Sequence, residues 1–149
     1  MLILLVTLQA VQVVILWTHD WVPLGRLNDV AAIRRHDSLG RLIWVTLLQS
    51  VPFTVLLFYS IQFLQTGYSH SLRTWLWIGY GVLFLGELRA WWIPYLLRAE
   101  PDRALRYREM FGGTYSFLPE RNGLTPNALH CILHVTTLAT VIELLMLTI

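Results

Sequence analysis

The sequence predicts an all-α integral membrane protein: a single domain over residues 1–149, a four-transmembrane-helix bundle with short interfacial helices in two cytoplasmic loops. Three observations predict it. Hydrophobic residues make up 56% of the chain and charged ones 13%, too few charges to cover the surface of a soluble domain this size. Four apolar stretches, residues 1–17, 42–64, 75–97 and 128–149, each approach the roughly 20 residues that cross a hydrocarbon core of about 30 Å as a helix. Finally, nine of the eleven arginines fall in the two long connections, and the opposite side of the bundle carries only Arg73.

The first stretch lacks a basic segment ahead of it and a small-x-small cleavage site after it, so it reads as a retained helix. His19 and Asp20 follow it, and Gln12 shares the face of His19 at i, i+7. In the first long connection, Asn28 is expected to cap a helix through VAAIRRH. The second stretch contains Pro52, whose missing N–H frees the Leu48 carbonyl; Gln49 or Ser50 is expected to compensate across a static kink.

Trp75 and Trp77 open the third stretch, and Trp91, Trp92 and Tyr95 close it, about 25 Å apart at 1.5 Å per residue. They read as two aromatic belts. Glu87 then lies one to two turns inside the cytoplasmic belt, with Arg89 nearer to it. Residues two apart on a helix diverge by about 200°, so these two do not pair along their own helix. Arg89 reaches headgroups with its long stem, whereas a carboxylate at Glu87 needs a partner, a proton or water. Gly79, Gly86 and Ala90 form a seam of small residues where another helix is expected to approach closely.

In the second long connection, Pro101 and Asp102 start a short helix to Phe111 that Gly112 and Gly113 stop, with Ala104, Tyr107 and Phe111 on one face. Asn122-Gly123 reads as a turn, and Thr125 with Pro126 as cap and first residue of the last helix. That helix carries His130 and His134 on one side, and Thr136, Thr140 and Glu143 about opposite them. With two polar faces, either the bundle encloses both or Glu143 faces a second copy, so a homo-oligomer, or a place in a larger membrane complex, is an expected partner arrangement beside the lipid bilayer itself.

The arginine asymmetry places the long connections in the cytoplasm and both termini outside, as for a bacterial inner-membrane protein. Acidic residues alternate with those arginines, a mixture that suits an anionic leaflet and argues against nucleic acid. The single cysteine, Cys131, excludes an intramolecular disulfide and a dithiol relay.

Counting depth along the helices, the residues His19, Asp20, Glu87, Arg89, His130 and His134 are expected to converge beneath the cytoplasmic loops as a ligand-binding site. ALHCILH sets two imidazoles on one face but supplies no third ligand at a recognisable spacing, so no metal site is assigned. Haem or a metal held through His19, His130 and His134 is the cofactor these residues would allow. Three functions fit. One is a non-catalytic accessory module binding lipid or another ligand from the cytoplasmic side. A second is an enzyme on a lipophilic substrate with Glu87 or His134 as general acid or base and the loop arginines holding an anionic headgroup, and a third a proton-coupled transporter using Glu87 and Glu143.

Overall fold

The computed structural model describes residues 1–148, and among the described residues the chain is all-helical, with one isolated bridge and no strand. Helix α1 runs over Leu2–Thr18, and a single 3-10 turn, Gly25–Leu27, leads to the short α2, Val30–His36. Then come α3, Leu39–Gln62, and α4, His70–Glu87, which continues through a π-helical turn, Leu88–Trp92, into α5, Ile93–Leu96. Helix α6 spans Pro101–Phe111 and α7 Ala128–Met146. Two of these, α3 and α7, are long and apolar enough to cross a membrane, and α1 is apolar but shorter, at 17 residues.

Helix α1 packs against α3 and α7, and α7 against α4, while α3 and α4 touch more sparsely. The bundle is therefore closed on three sides and loose along one seam. Its core is built from residues such as Leu5, Leu16, Phe53, Leu76, Tyr80 and Leu144. A second cluster, Ile33, Leu42, Trp91, Met110 and Phe111, sits beneath α2 and α6 at one end. The small-residue seam is used at Gly79, where a Cβ would stand 2.7 Å from Leu56 Cδ1. At Gly86 the expected close approach is absent: a Cβ there would meet nothing within 4 Å.

Several local expectations are corrected. Asp29, not Asn28, caps α2, accepting from the Ala32 N–H at 2.8 Å. Asn28 instead donates to the His19 and Val22 carbonyls and accepts from the Leu24 N–H, closing the turn that leaves α1. Asn127 caps α7 through the His130 N–H; the Pro126 carbonyl is held outside the helix by the Ser116 hydroxyl, so Thr125 and Pro126 belong to the loop. Around Pro52 the helix runs on, and neither Gln49 nor Ser50 supplies a side-chain hydrogen bond among the described residues; the Thr54 hydroxyl donates to the Ser50 carbonyl. The third apolar stretch starts earlier than its hydropathy indicates because Ser69 caps it, accepting from the Leu72 N–H. The fourth was read to Ile149, which lies outside the described residues.

The π turn has a readable cause. Pro94 has no N–H to offer the carbonyl of Ala90 in an α turn, or that of Arg89 in a π turn. Both carbonyls are served from α6: the Arg103 guanidinium donates to Arg89 O at 3.2 Å and the Tyr107 hydroxyl to Ala90 O at 3.2 Å. Burial pushes the Tyr107 phenol up, only partly offset by Arg103 and Arg106, so it remains a donor. Helix α6 is thus fastened across the end of α4 by the bonds that Pro94 cannot make. The Asn122-Gly123 turn forms as expected, both residues at positive φ, and the Asn122 amide ties it to the Tyr95 carbonyl.

Candidate functional site

The π turn and α6 together wall a cleft of about 660 Å³ at the end of the bundle that carries α2 and α6. Its floor lies between α3 and α4, at Val45, Gln49, Gly86 and Ala90. Its rim holds four guanidinium groups, Arg41, Arg89, Arg103 and Arg106, with Asp20 and Asp102. Arg41 and Arg106 are spoken for: both reach Asp37, at 3.2 and 2.8 Å, and Arg106 donates to both of its carboxylate oxygens. Arg89 and Arg103 make no ion pair among the described residues. They are the cations this cleft has available.

The inner wall is aromatic. His130 stacks 4.5 Å from Trp91 and 5.1 Å from Phe111, and His19 meets it edge-on at 5.9 Å. Asn127 fixes how His130 is protonated. Its Nδ2 donates to the Leu27 carbonyl and its Oδ1 accepts from the His130 N–H, so the atom facing His130 Nδ1 at 2.6 Å is an acceptor. Nδ1 must therefore carry the hydrogen, leaving Nε2 free to accept when the ring is neutral. The His19 ring donates from Nδ1 to the Ile15 carbonyl and turns Nε2 toward Asp20 Oδ2 at 3.3 Å, a contact favourable only with a proton between them. Burial pushes the Asp20 carboxyl above its usual range; the His19 charge draws it back and that of Asp37 adds to the rise.

Of the six residues expected to converge, His19, Asp20, Arg89 and His130 line this cleft. Glu87 and His134 do not. His134 lies behind Trp91 and Trp92, its ring 6.3 and 5.8 Å from theirs, with Nδ1 buried and unpartnered. Glu87 points into the bundle, where the Thr137 hydroxyl stands 2.8 Å from Oε1 and Oε2 has no partner. Gln12 completes that cluster, donating to Thr140 at 3.2 Å and Thr137 at 3.4 Å. Thr140 was read with Thr136 and Glu143 as a separate polar face. It is buried with Gln12 instead, while Thr136 and Glu143 are half-buried beyond it.

Thr137 is the residue that sequence reasoning missed. The signal was available, since Thr137 follows His134 by three residues and precedes Thr140 by three, joining the two polar faces that were read apart. Arg103 and Arg106 belong to the loop arginines expected to hold an anionic headgroup, without a place in the converging site; their position on the rim follows from the α6 fastening, which a one-helix pattern does not reveal.

No group of three or more His, Cys, Asp or Glu side chains is arranged to hold a metal ion among the described residues. Of the three histidines expected to hold haem or a metal, the His130 ring lies 5.9 Å from that of His19 and 6.1 Å from that of His134; His130 and His19 each donate one ring nitrogen to an oxygen, which leaves Nε2 of each as the nitrogen that could ligate. Compared with known proteins, the chain matches no family model, no curated protein and no solved structure.

Proposed function

We propose that the chain is a four-span integral membrane protein of the bacterial inner membrane, with both termini outside and α2 and α6 in the cytoplasm, that binds the anionic headgroup of an inner-leaflet lipid as a non-catalytic module. The bilayer reading is supported by an inverted distribution of side chains. Gln9, Gln12, Ser50, Ser60, Thr137 and Thr140 are buried, while Ile3, Leu48, Phe58 and Val82 are each more than 60% exposed. Only 22% of the apolar window of α3 is buried, which leaves the longest helix a surface that water would disfavour.

The observation that carries the binding reading is the pair Arg89 and Arg103, guanidinium groups with no ion-pair partner among the described residues, Arg103 spending one N–H on the Arg89 carbonyl, on the rim of a cleft whose back wall is rings. Guanidinium forks match phosphate and carboxylate oxygens, and the aromatic wall keeps competing water away. At the cytoplasmic end of a bundle this is where a lipid headgroup lies. Melting of the detergent-purified protein tests it. Phosphatidylglycerol should raise the midpoint and phosphatidylcholine should not, and R89A with R103A should abolish the difference. Equal shifts with both lipids would overturn the reading.

If the site does chemistry, the ring that meets the ligand is His130 rather than Glu87 or His134, because His130 alone of the three lines the cleft. Colour in the purified protein would favour haem instead.

A further inference from the structure

A second cavity lies along the same pair of helices. It is a groove of about 750 Å³, lined by Phe53, Leu56 and Tyr59 of α3, Phe63 just past its end, and Leu72, Trp75, Ile78, Gly79 and Val82 of α4, with Ser69, Ser71, the Tyr59 hydroxyl and the Trp75 indole N–H as its polar groups. The cleft and the groove share one register. Leu56 meets Gly79; seven residues toward the cleft from each stand Gln49 and Gly86, and seven residues the other way stand Phe63 and Leu72. Seven residues is two helical turns, so one face of α3 and one face of α4 line both cavities. The seam that the bundle leaves loosely closed is therefore cationic at one end and, about one turn further on, apolar for about 15 Å, from Val82 to Leu72.

Building on the headgroup reading above, we propose that this groove holds an acyl chain of the same lipid whose headgroup occupies the arginine cleft, so that the protein selects an anionic glycerophospholipid by both ends. Three features select that occupant. The groove begins about one turn beyond the cleft, Val82 after Gly86 on α4 and Pro52 after Gln49 on α3, and the glycerol of a lipid would sit beside Gly86 and Ala90. Its α4 lining, Leu72 to Val82, runs about 15 Å, the depth of one leaflet, room for a chain laid along the helices. The arginines complement a negative headgroup and disfavour a zwitterion's choline or ethanolamine. Gly79 sets the depth: its missing side chain lets Leu56 and Phe53 pack down as the floor.

The test compares two probes on the full chain in detergent, dioleoyl phosphatidylglycerol and its dihexanoyl analogue, by melting shift. Val82 is 67% exposed and lines the groove, so V82W fills it without entering the core; I78W, at a position 50% exposed one turn away, is the second variant. Both variants should bind the dioleoyl lipid about tenfold more weakly and the dihexanoyl lipid as the parent does. Unchanged dioleoyl binding in both variants would overturn the groove assignment and leave the headgroup site standing. No shift with either probe in the parent would remove the headgroup site and the groove with it. Rapid disulfide linkage of V82C copies in membranes would assign the groove to a second copy and overturn the proposal.

Discussion

Glu87 is the residue on which the interior turns. Its Oε1 takes the Thr137 hydroxyl, and among the described residues Oε2 has no hydrogen-bond partner and the carboxyl no ion pair. Removing the donor leaves a buried acceptor stranded, so T137V should cost about 1–3 kcal/mol in reversible unfolding. E87Q keeps the shape and removes the charge-bearing group, so it should cost less than T137V. The two substitutions share one hydrogen bond, and a double-mutant cycle should show coupling of about 1 kcal/mol; strictly additive effects would place Thr137 and Glu87 apart. Asp20 yields a prediction with a definite sign. Its carboxyl titrates above the usual range when folded, so the folded chain holds that proton more tightly than the unfolded one. Stability contributed this way is complete below the ordinary carboxylate value and is lost as pH rises through the raised folded value. D20N escapes the loss, so its melting point relative to the parent should climb with pH across that window; a flat difference would contradict the desolvation of the half-buried Asp20.

At the scale of elements, α6 was readable to the residue and α7 was not, and the reason is physical. Pro101, Asp102 and Gly112 act within their own helix, where one strand of sequence contains all the chemistry. The caps of α2 and α7 were misread because Asn28 and Pro126 are engaged by distant partners, His19 and Ser116, which compete with the local rule. The convergence of four site residues came from depth along each helix. The exclusion of Glu87 did not, because depth says nothing about which neighbour a face meets. The π turn interrupts a stretch, 75–97, that reads as one continuous helix, because the donors that make Pro94 tolerable there come from α6. Y107F should therefore loosen α6 at its seat, costing about 1 kcal/mol and raising amide exchange over residues 101–111 ahead of that of α4. N127A removes more, since one amide serves the α7 cap, the His130 ring and the Leu27 carbonyl; about 2–4 kcal/mol is expected, where S69A, a cap alone, should cost about 1.

For the whole molecule, the proposed orientation decides which leaflet would supply a lipid. On that proposal the arginine asymmetry would put the α2 and α6 end, which contains the cleft, in the cytoplasm. Gln65, in the short link between α3 and α4, and Arg121, beside the Asn122-Gly123 turn, are both exposed and lie at opposite ends of the bundle. Cys131 is buried, so the parent thiol should stay silent toward a membrane-impermeant maleimide. In intact cells Q65C should label and R121C should not, and permeabilisation should make R121C react while leaving Q65C unchanged. The reverse pattern would place the arginine cleft at the outer leaflet, where the same two guanidinium groups would recruit a lipid from the other side. Labelling of both positions in intact cells would mean that the apolar seam is not embedded as a span at all. Because the cleft and the groove lie on one register of α3 and α4, this single topology measurement fixes the direction in which the chain of a bound lipid would run.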